Sequence, residues 1–178
     1  MFIFHRTGWG VTSRSSGLLD ISILNIYTEQ MESSVKNLVI RKIRVEDADA
    51  INSIQTSITK SSDKIDFRNI IEERVRKSED ISFVAEIDGR IVGYMISYIL
   101  YGGFGLDKSA WIATLGVDPK YMGQGIGKRL AEEILQEYHQ RDIRYIFTTV
   151  RWDSVDLLSF FKTLGFDRSN FINLRKAL

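Results

Sequence analysis

Three glycines at alternate positions form the pattern in this chain that most clearly points to chemistry. They are Gly123, Gly125 and Gly127, in a segment (117–130, VDPKYMGQGIGKRL) that runs from a strand end through a turn into an amphipathic helix. Glycine lets the backbone approach a ligand closely and adopt φ values that other residues rarely take. Because the segment opens a helix, its free N–H groups and the helix dipole converge on a site for an anion such as a pyrophosphate. A glycine-rich helix start without a ligand is the alternative interpretation.

Two well-known phosphate-binding patterns do not fit this segment. A P-loop needs G-x-x-x-x-G-K-[ST], but here Gly127-Lys128 is followed by Arg129, and Met122 occupies the first glycine position. A dinucleotide-binding fingerprint needs G-x-G-x-x-G in the first strand-to-helix turn. This loop reads G-x-G-x-G and lies late in the chain. Neither pattern therefore explains the loop.

Composition narrows the class of protein further. The chain has 178 residues, with 24 Lys and Arg against 23 Asp and Glu, so its net charge is +1. This length fits one domain. The near-neutral net charge gives no overall electrostatic attraction for nucleic acid or an anionic membrane. No apolar run approaches the roughly 20 residues of a membrane span, and the first residues lack the apolar stretch of a secretory signal. We therefore expect a cytoplasmic protein.

Cysteine and histidine usage limits the available chemistry. The chain has no cysteine, which excludes disulfides and cysteine nucleophiles. Its two histidines, His5 and His139, are far apart and have no metal-ligand spacing. We expect no metal site.

Hydrophobic periodicity predicts the elements that would position the loop. Residues 1–37 are predicted to be a peripheral or partly disordered extension, in which Met31 is a possible start of translation, and 38–178 to be one domain. Within that domain we predict strands over 38–45, 81–87, 91–100, 109–117 and 143–150, helices over 46–58, 67–77, 125–138 and 154–164, and a last strand or hairpin in 166–178. This order predicts an α/β (α+β) fold with one mixed sheet and helices on both faces.

The glycine segment resembles the acetyl-CoA-binding motif of the GNAT superfamily of N-acetyltransferases, [Q/R]-x-x-G-x-[G/A]. The match runs from Met122 to Gly127 (MGQGIG). DGRIVGY (88–94) is similar to the family's second and third strands, and FFKTLGF (160–166) to its closing helix. The resemblance covers roughly 38–176. It implies a mixed, mostly antiparallel central sheet of six to seven strands flanked by four helices.

The resemblance also implies acetyl-CoA as cosubstrate, bound mainly by backbone groups. Amides from Gly123 to Lys128 would hold the pyrophosphate, and the end of strand 109–117 would pair with the pantetheine arm where it diverges from strand 143–150. Met122 replaces the family's usual Gln or Arg, which weakens the match without abolishing a site made of backbone. The implied cofactor-binding residues are Leu115, Gly116, Val117, Met122, Gly123, Gln124, Gly125, Ile126, Gly127, Lys128, Ser154 and Phe161.

The catalytic groups are less well defined than the cosubstrate site. The resemblance implies an oxyanion donor among the backbone N–H groups near Val117. Strand 109–117 has no acidic residue, with Trp111 where one subgroup has a catalytic glutamate, and Phe161 stands where the family often has a tyrosine. The side-chain candidates for deprotonating or binding an amine are Asp153, Tyr101 and Glu86. A base acting through an ordered water is the alternative.

The function implied by the resemblance is direct transfer of an acetyl group from acetyl-CoA to a primary amine. The amine would belong to a small molecule or a protein, and a homodimer is possible. Two alternatives stay open: a catalytically reduced module that binds acyl-CoA as a sensor or partner, and a GNAT-shaped subunit with no cofactor role. No nucleic acid or membrane partner is expected.

Overall fold

The computed structural model describes residues 37–59, 65–103 and 105–177. The predicted N-terminal extension and the possible start at Met31 lie outside these ranges, apart from Asn37. The division of the chain into an extension and one domain stays a prediction.

Five strands form a single sheet in the described residues, in the order β1-β2-β3-β4-β5. Strands β1 to β4 pair antiparallel, and β5 joins β4 in parallel. Their bounds are β1 Leu38–Lys42, β2 Ser82–Ile87, β3 Arg90–Leu100, β4 Ser109–Val117 and β5 Ile146–Thr148. Asp88 and Gly89 close the β2–β3 hairpin with φ of 49° and 77°, as an Asp-Gly pair between strands predicts.

Four α-helices cover the two faces of this sheet in the described part of the chain. They are α1 Ala48–Thr59, α2 Phe67–Arg76, α3 Ile126–His139 and α4 Val155–Thr163. The prediction of a mixed, mostly antiparallel sheet flanked by four helices is confirmed. None of the helices in the described ranges combines the length and the apolar composition that crossing a membrane requires.

Alternation along the strands divides the core into two parts. On β2, Phe83 and Ala85 pack against α3, whereas Val84 between them packs against α1 and α2. Successive strand residues point to opposite faces, so β2 and β3 each supply both cores. We call the two sides of the sheet the α3 face and the α1 face.

The strand count differs from the expected six to seven. Residues 167–177 form no strand and are exposed. This segment touches the region of β5 through a 3.2 Å hydrogen bond from Asn173 to Thr149 and a ring contact between Phe171 and Phe147. Because its described residues form no backbone ladder with the sheet, the segment is not a strand.

A charged cluster ties β1 to the start of α1. Two guanidinium nitrogens of Arg41 donate to the two carboxylate oxygens of Asp47 at 2.8 Å, and its Nε donates to Glu86 on β2 at 2.8 Å. Asp47 is buried and also accepts the backbone N–H of Arg44 at 2.8 Å. Burial by itself raises the pKa of the Asp47 carboxyl, but the hydrogen bonds from Arg41 and Arg44 outweigh it and the pKa is lowered.

We expect Asp47→Asn to lower the free energy of unfolding by about 2–3 kcal/mol at pH 7, because Arg41 keeps its charge and loses its main partner. The pKa of Asp47 is lower in the folded state than its unfolded value of about 3.9. The stabilisation is therefore present above that unfolded value and is lost as the pH falls through the folded one. Urea denaturation at neutral and acidic pH measures both effects. Glu46→Gln, an exposed neighbour, is the control. Equal stability of Asp47→Asn and wild type at pH 7 would contradict the account.

Candidate active site

The parallel pair of β4 and β5 separates part of the way along β4. The ladder joins residues 110–112 of β4 to 146–148 of β5 and, in the described residues, goes no further. On its other side, β4 stays paired with β3 as far as Val117. Residues 113–117 therefore have one backbone edge without a strand partner, and a slot opens between the two strands. This matches the predicted divergence of strands 109–117 and 143–150.

A β-bulge at Ala113 changes the direction of the side chains beyond it. Ala113 is an extra residue, because Ile112 and Thr114 on either side of it oppose consecutive residues of β3. Strict alternation would place Ile112 and Leu115 on opposite faces. Instead both pack in the core of the α3 face. The bulge thus lies where the slot begins, and it changes the face of the sheet to which the side chains after it point.

The glycine loop follows β4 and one turn of 3-10 helix, Pro119–Tyr121. Gly123 and Gly125 have φ of 80° and 76°, in the left-handed region that glycine favours. Gly125 is the N-cap residue of α3 and has no side chain to cap it, so the first N–H groups of the helix are available to a ligand. The positive end of the α3 dipole lies at the same place. The arrangement can hold an anion.

Contacts on the α3 face join the loop to the slot. A Cβ built on Gly127 would lie 3.4 Å from the Phe160 ring and 3.8 Å from Val117 at the end of β4. Leu115 and Val117 pack on the same core as Ile126 at the start of α3. The structure therefore brings together the strand end and the loop that the resemblance had implied as one site.

The other implied cofactor-binding residues have varied surroundings. Met122 is exposed, and Lys128 is exposed and pairs with Glu132 at 3.7 Å. Ser154 is the N-cap residue of α4 but makes no capping hydrogen bond through its side chain. Phe161 is buried in the core of the α3 face. Their contact with a cosubstrate stays a prediction.

Asp153 is already engaged by a neighbouring cation. The Nε of Arg151 donates to Asp153 Oδ1 at 2.8 Å, and a second guanidinium nitrogen bonds the other oxygen. Both side chains are exposed, and the hydrogen bond from Arg151 lowers the pKa of the Asp153 carboxyl. A carboxylate with a lowered pKa is a weaker base.

The other two candidates, Tyr101 and Glu86, are also engaged, and the structure does not bring them to the slot. Tyr101 follows the end of β3, which pairs with the start of β4, so it lies at the opposite end of β4 from the glycine loop. Its hydroxyl donates to Glu79, a contact that raises the pKa of Tyr101, and Lys108 Nζ lies 5.1 Å from the ring centroid. Glu86 lies on β2 and is bound by Arg41.

The structure places a further polar group, centred on Tyr94, beside β4. The Tyr94 hydroxyl donates to Gln55 Oε1 on α1 at 2.5 Å and is hydrogen bonded to the Thr114 side chain. Burial raises the pKa of Tyr94, and the Thr114 hydrogen bond offsets this only in part. Tyr94 is not among the site residues predicted from the sequence. Gly116 was the residue in the sequence that could have pointed to it, because a glycine inside a strand often marks a place where another group approaches the backbone closely.

A cavity of about 430 Å³ lies on the α1 side of the sheet, apart from the glycine loop. Ser53 and Ser57 of α1 line it, together with Arg90, Asp118 and Lys120. Arg90 and Asp118 form an ion pair at 3.4 Å. No residue of 122–128 is among those that line this cavity. Within the described ranges, no cluster of three or more His, Asp or Glu side chains could hold a metal ion.

Comparison with known sequences identifies one family. The family model described as "Acetyltransferase (GNAT) family" matches residues 48–166. A mycothiol acetyltransferase of Amycolatopsis mediterranei is 31% identical over 100 residues, which are 54% of this chain and 33% of the relative. A [ribosomal protein bS18]-alanine N-acetyltransferase of Escherichia coli is 25% identical over 89 residues, which are 50% of this chain and 56% of the relative. The matched region thus spans between a third and a little over half of these relatives.

Solved structures show the same fold. An aminoglycoside N-acetyltransferase, AAC(6')-Iy in complex with CoA, has a TM-score of 0.68 at 15% identity, covering 79% of this chain and 94% of that one. The aminoglycoside acetyltransferase meta-AAC0020, from an uncultured soil sample and in complex with sisomicin, has a TM-score of 0.68 at 20% identity, covering 80% and 97%. At these identities the likeness concerns the fold alone.

We expect Gly116→Ala to destabilise the protein by about 2 kcal/mol, the usual cost of overpacking a filled core. A Cβ at this position would lie 2.7 Å from the Tyr94 ring and 3.0 Å from Ile58. The ring cannot move away easily, because Phe67 packs against it edge-on at 5.7 Å. Urea denaturation measures the loss. The control is Gly127→Ala, whose Cβ would make only ordinary contacts in a helix and should leave stability unchanged or higher. Equal effects of the two substitutions would contradict this account.

Proposed function

The chain belongs to the acetyltransferase (GNAT) family, and we propose that it is an acetyl-CoA-dependent N-acetyltransferase acting on a primary amine. The observation that carries the proposal is the open backbone edge of residues 113–117 next to a glycine loop with an uncapped helix start. The names of two relatives, one an acetyltransferase and one an N-acetyltransferase, and a neighbour solved with CoA support it.

The glycine loop fits the pyrophosphate of acetyl-CoA. We propose that the backbone amides from Gly123 to Lys128 bind it, each as a charge-assisted hydrogen bond worth about 1.5–3 kcal/mol. The space around the Cα atoms of Gly123 and Gly125 is open, so a ligand can approach the backbone there. The α3 dipole adds to the attraction for negative charge.

The end of β4 fits the pantetheine arm. Extended chains with amide groups add to an exposed strand edge by main-chain hydrogen bonds. We propose that Leu115, Gly116 and Val117 hold the arm in this way. The arm then runs from the loop after Val117 towards the bulge, so the acetyl group lies near Ala113. A backbone N–H at the bulge, in place of the donor near Val117 that the resemblance implies, would stabilise the charge that develops on the acetyl carbonyl oxygen. Acetyl-CoA supplies the acetyl group in an activated form, as a thioester.

The amine proton is proposed to leave through an ordered water. Asp153, Glu86 and Tyr101 are each bound to another side chain. The leaving group needs little help, because a free thiol has a pKa of about 8.5 and departs readily as thiolate. This is consistent with Phe161 at the position where the family often has a tyrosine.

A second candidate function is binding of acyl-CoA without catalysis. Trp111 and Ala113 leave β4 without an acid, and Phe161 has no hydroxyl, so the side chains that some family members use are absent. Release of CoA in the presence of a panel of amines separates the two candidates. CoA release that requires an amine supports the enzyme, and acetyl-CoA binding without such release supports the binding module.

We expect Gly125→Ala to weaken acetyl-CoA binding by about tenfold or more, because losing one charge-assisted hydrogen bond costs at least that much. Alanine is strained at the φ of 76° found here, so the loop must relax away from its binding conformation. Isothermal titration calorimetry measures the Kd.

Gly89→Ala is the matched control for this experiment. Gly89 has a φ of 77° and open space around it, but it lies in the β2–β3 turn. Both variants should lose about 1 kcal/mol of stability, and only Gly125→Ala should lose affinity. Unchanged affinity in folded Gly125→Ala would rule out the phosphate-binding role of the loop.

We expect Asp153→Asn to change kcat by no more than about threefold, because loss of a true general base costs about 10²-fold or more. Asp156→Asn, a nearby exposed change of the same kind, is the control. Thiol release at saturating acetyl-CoA gives the rate. A hundredfold fall in kcat for Asp153→Asn but not for Asp156→Asn would show that Asp153, and not a water, is the general base.

A further inference from the structure

Four aromatic side chains form a continuous surface next to the slot. Trp111 and Phe147 stack with ring centroids 5.9 Å apart, and Phe147 also contacts Tyr145 at 6.3 Å and Phe171 at 6.0 Å. We call these four residues the aromatic wall. Tyr145 and Phe171 are exposed, and Trp111 and Phe147 are half-buried.

The aromatic wall lies on the α1 face of the sheet. Ile146 packs in the core of the α3 face, so its neighbours Tyr145 and Phe147 project to the opposite side. Trp111, the β4 partner of Phe147, is in contact with it there.

The wall is close to the proposed site of acetyl transfer. Trp111 is two residues before the bulge at Ala113, where the slot opens, and a strand rises about 3.3 Å per residue. An amine that approaches the slot from the α1 face therefore passes the aromatic wall.

The charges next to the wall do not suit a molecule with many positive charges. Tyr98 is the β3 partner of Trp111, and the guanidinium of Arg74 lies 4.7 Å from its ring centroid. Arg74 is paired in turn with Asp80 at 3.2 Å. Asp153, which follows β5, is paired with Arg151. Both of these carboxylates, Asp80 and Asp153, are thus occupied by arginines.

We propose that the acceptor is a small primary amine with a flat aromatic group close to the nitrogen, such as a 2-arylethylamine. The aromatic wall stacks on the ring of the acceptor, and this places the nitrogen at the slot. The nitrogen bonds to the acetyl carbonyl carbon, the C–S bond breaks with its electron pair on sulfur, and the amine proton passes to water. The proposal rests on the proposed function. It separates this chain from the aminoglycoside acetyltransferases with which it shares the fold.

The first test is an acceptor panel with wild-type protein. Thiol release is measured at saturating acetyl-CoA with 2-phenylethylamine, its saturated counterpart 2-cyclohexylethylamine, spermidine and neamine. We expect kcat/KM for 2-phenylethylamine to exceed the values for the two polycations by about tenfold or more, a typical discrimination by an apolar site. It should also exceed the value for the saturated amine.

The second test changes the wall itself. Trp111→Leu should raise KM for 2-phenylethylamine by about fivefold, in the range of one lost aromatic contact, and leave the Kd of acetyl-CoA unchanged. Trp111→Phe should keep a KM near that of wild type. Trp152→Leu, the same change at a side chain that is 81% exposed, is the control and should leave KM within about twofold.

The outcomes separate the two proposals. If kcat/KM for spermidine or neamine equals or exceeds the value for 2-phenylethylamine, the proposed acceptor class is wrong and the proposed acetyltransferase function is unaffected. The same holds when acetyl-CoA raises the Tm but 2-phenylethylamine is not acetylated, or when folded Trp111→Leu has an unchanged KM. No rise in Tm with acetyl-CoA overturns the proposed function, and the acceptor class falls with it. If Trp111→Leu does not fold, the panel with wild-type protein still decides.

Discussion

The structure depends on strand β4, which is paired on both sides over residues 110–112 and on one side beyond them. Backbone N–H and C=O groups in a folded protein need partners, and β5 provides them only as far as Ile112 of β4. From Ala113 to Val117 the outer edge is open, although β3 holds the other edge. An edge of this kind is well suited to an extended ligand that carries amide groups of its own.

Two neighbouring features make this open edge useful. The bulge at Ala113 keeps Leu115 and Val117 in the core of the α3 face, so the strand end is anchored where its outer edge is free. The glycine loop that follows then starts α3 without a side-chain cap, which leaves N–H groups that can hold an anion directly after the strand. Strand edge and helix start together offer hydrogen bonds to the two polar parts of one long ligand.

Much of this was predictable, and the physical reasons are local. Gly123, Gly125 and Gly127 lie within five residues of one another, and glycine can adopt the positive φ that Gly123 and Gly125 have, so a loop able to hold an anion could be predicted from spacing. The β2–β3 hairpin followed from Asp88-Gly89. Apolar spacing in Ile126, Leu130 and Ile134 predicted α3, and these three side chains are buried in the core.

The remainder depends on contacts between distant segments, which spacing does not encode. Arg151 and Asp153 are close in sequence, but whether they pair depends on side-chain geometry after β5. Tyr94 and Gln55 are 39 residues apart, and only packing of α1 on the sheet joins them. The aromatic wall likewise combines β4, β5 and the C-terminal segment. A last strand or hairpin was predicted in 166–178, but the described residues of this segment lack the ladder that defines a strand.

The most direct test of the account is to map CoA on the backbone by NMR. A ¹⁵N-labelled sample is titrated with CoA, and amide shifts are followed residue by residue. The account predicts that the largest changes occur at Leu115, Gly116 and Val117 and at the amides from Gly123 to Lys128. Changes concentrated at Ser53, Ser57 and Arg90 instead, around the separate cavity on the α1 side, would contradict it.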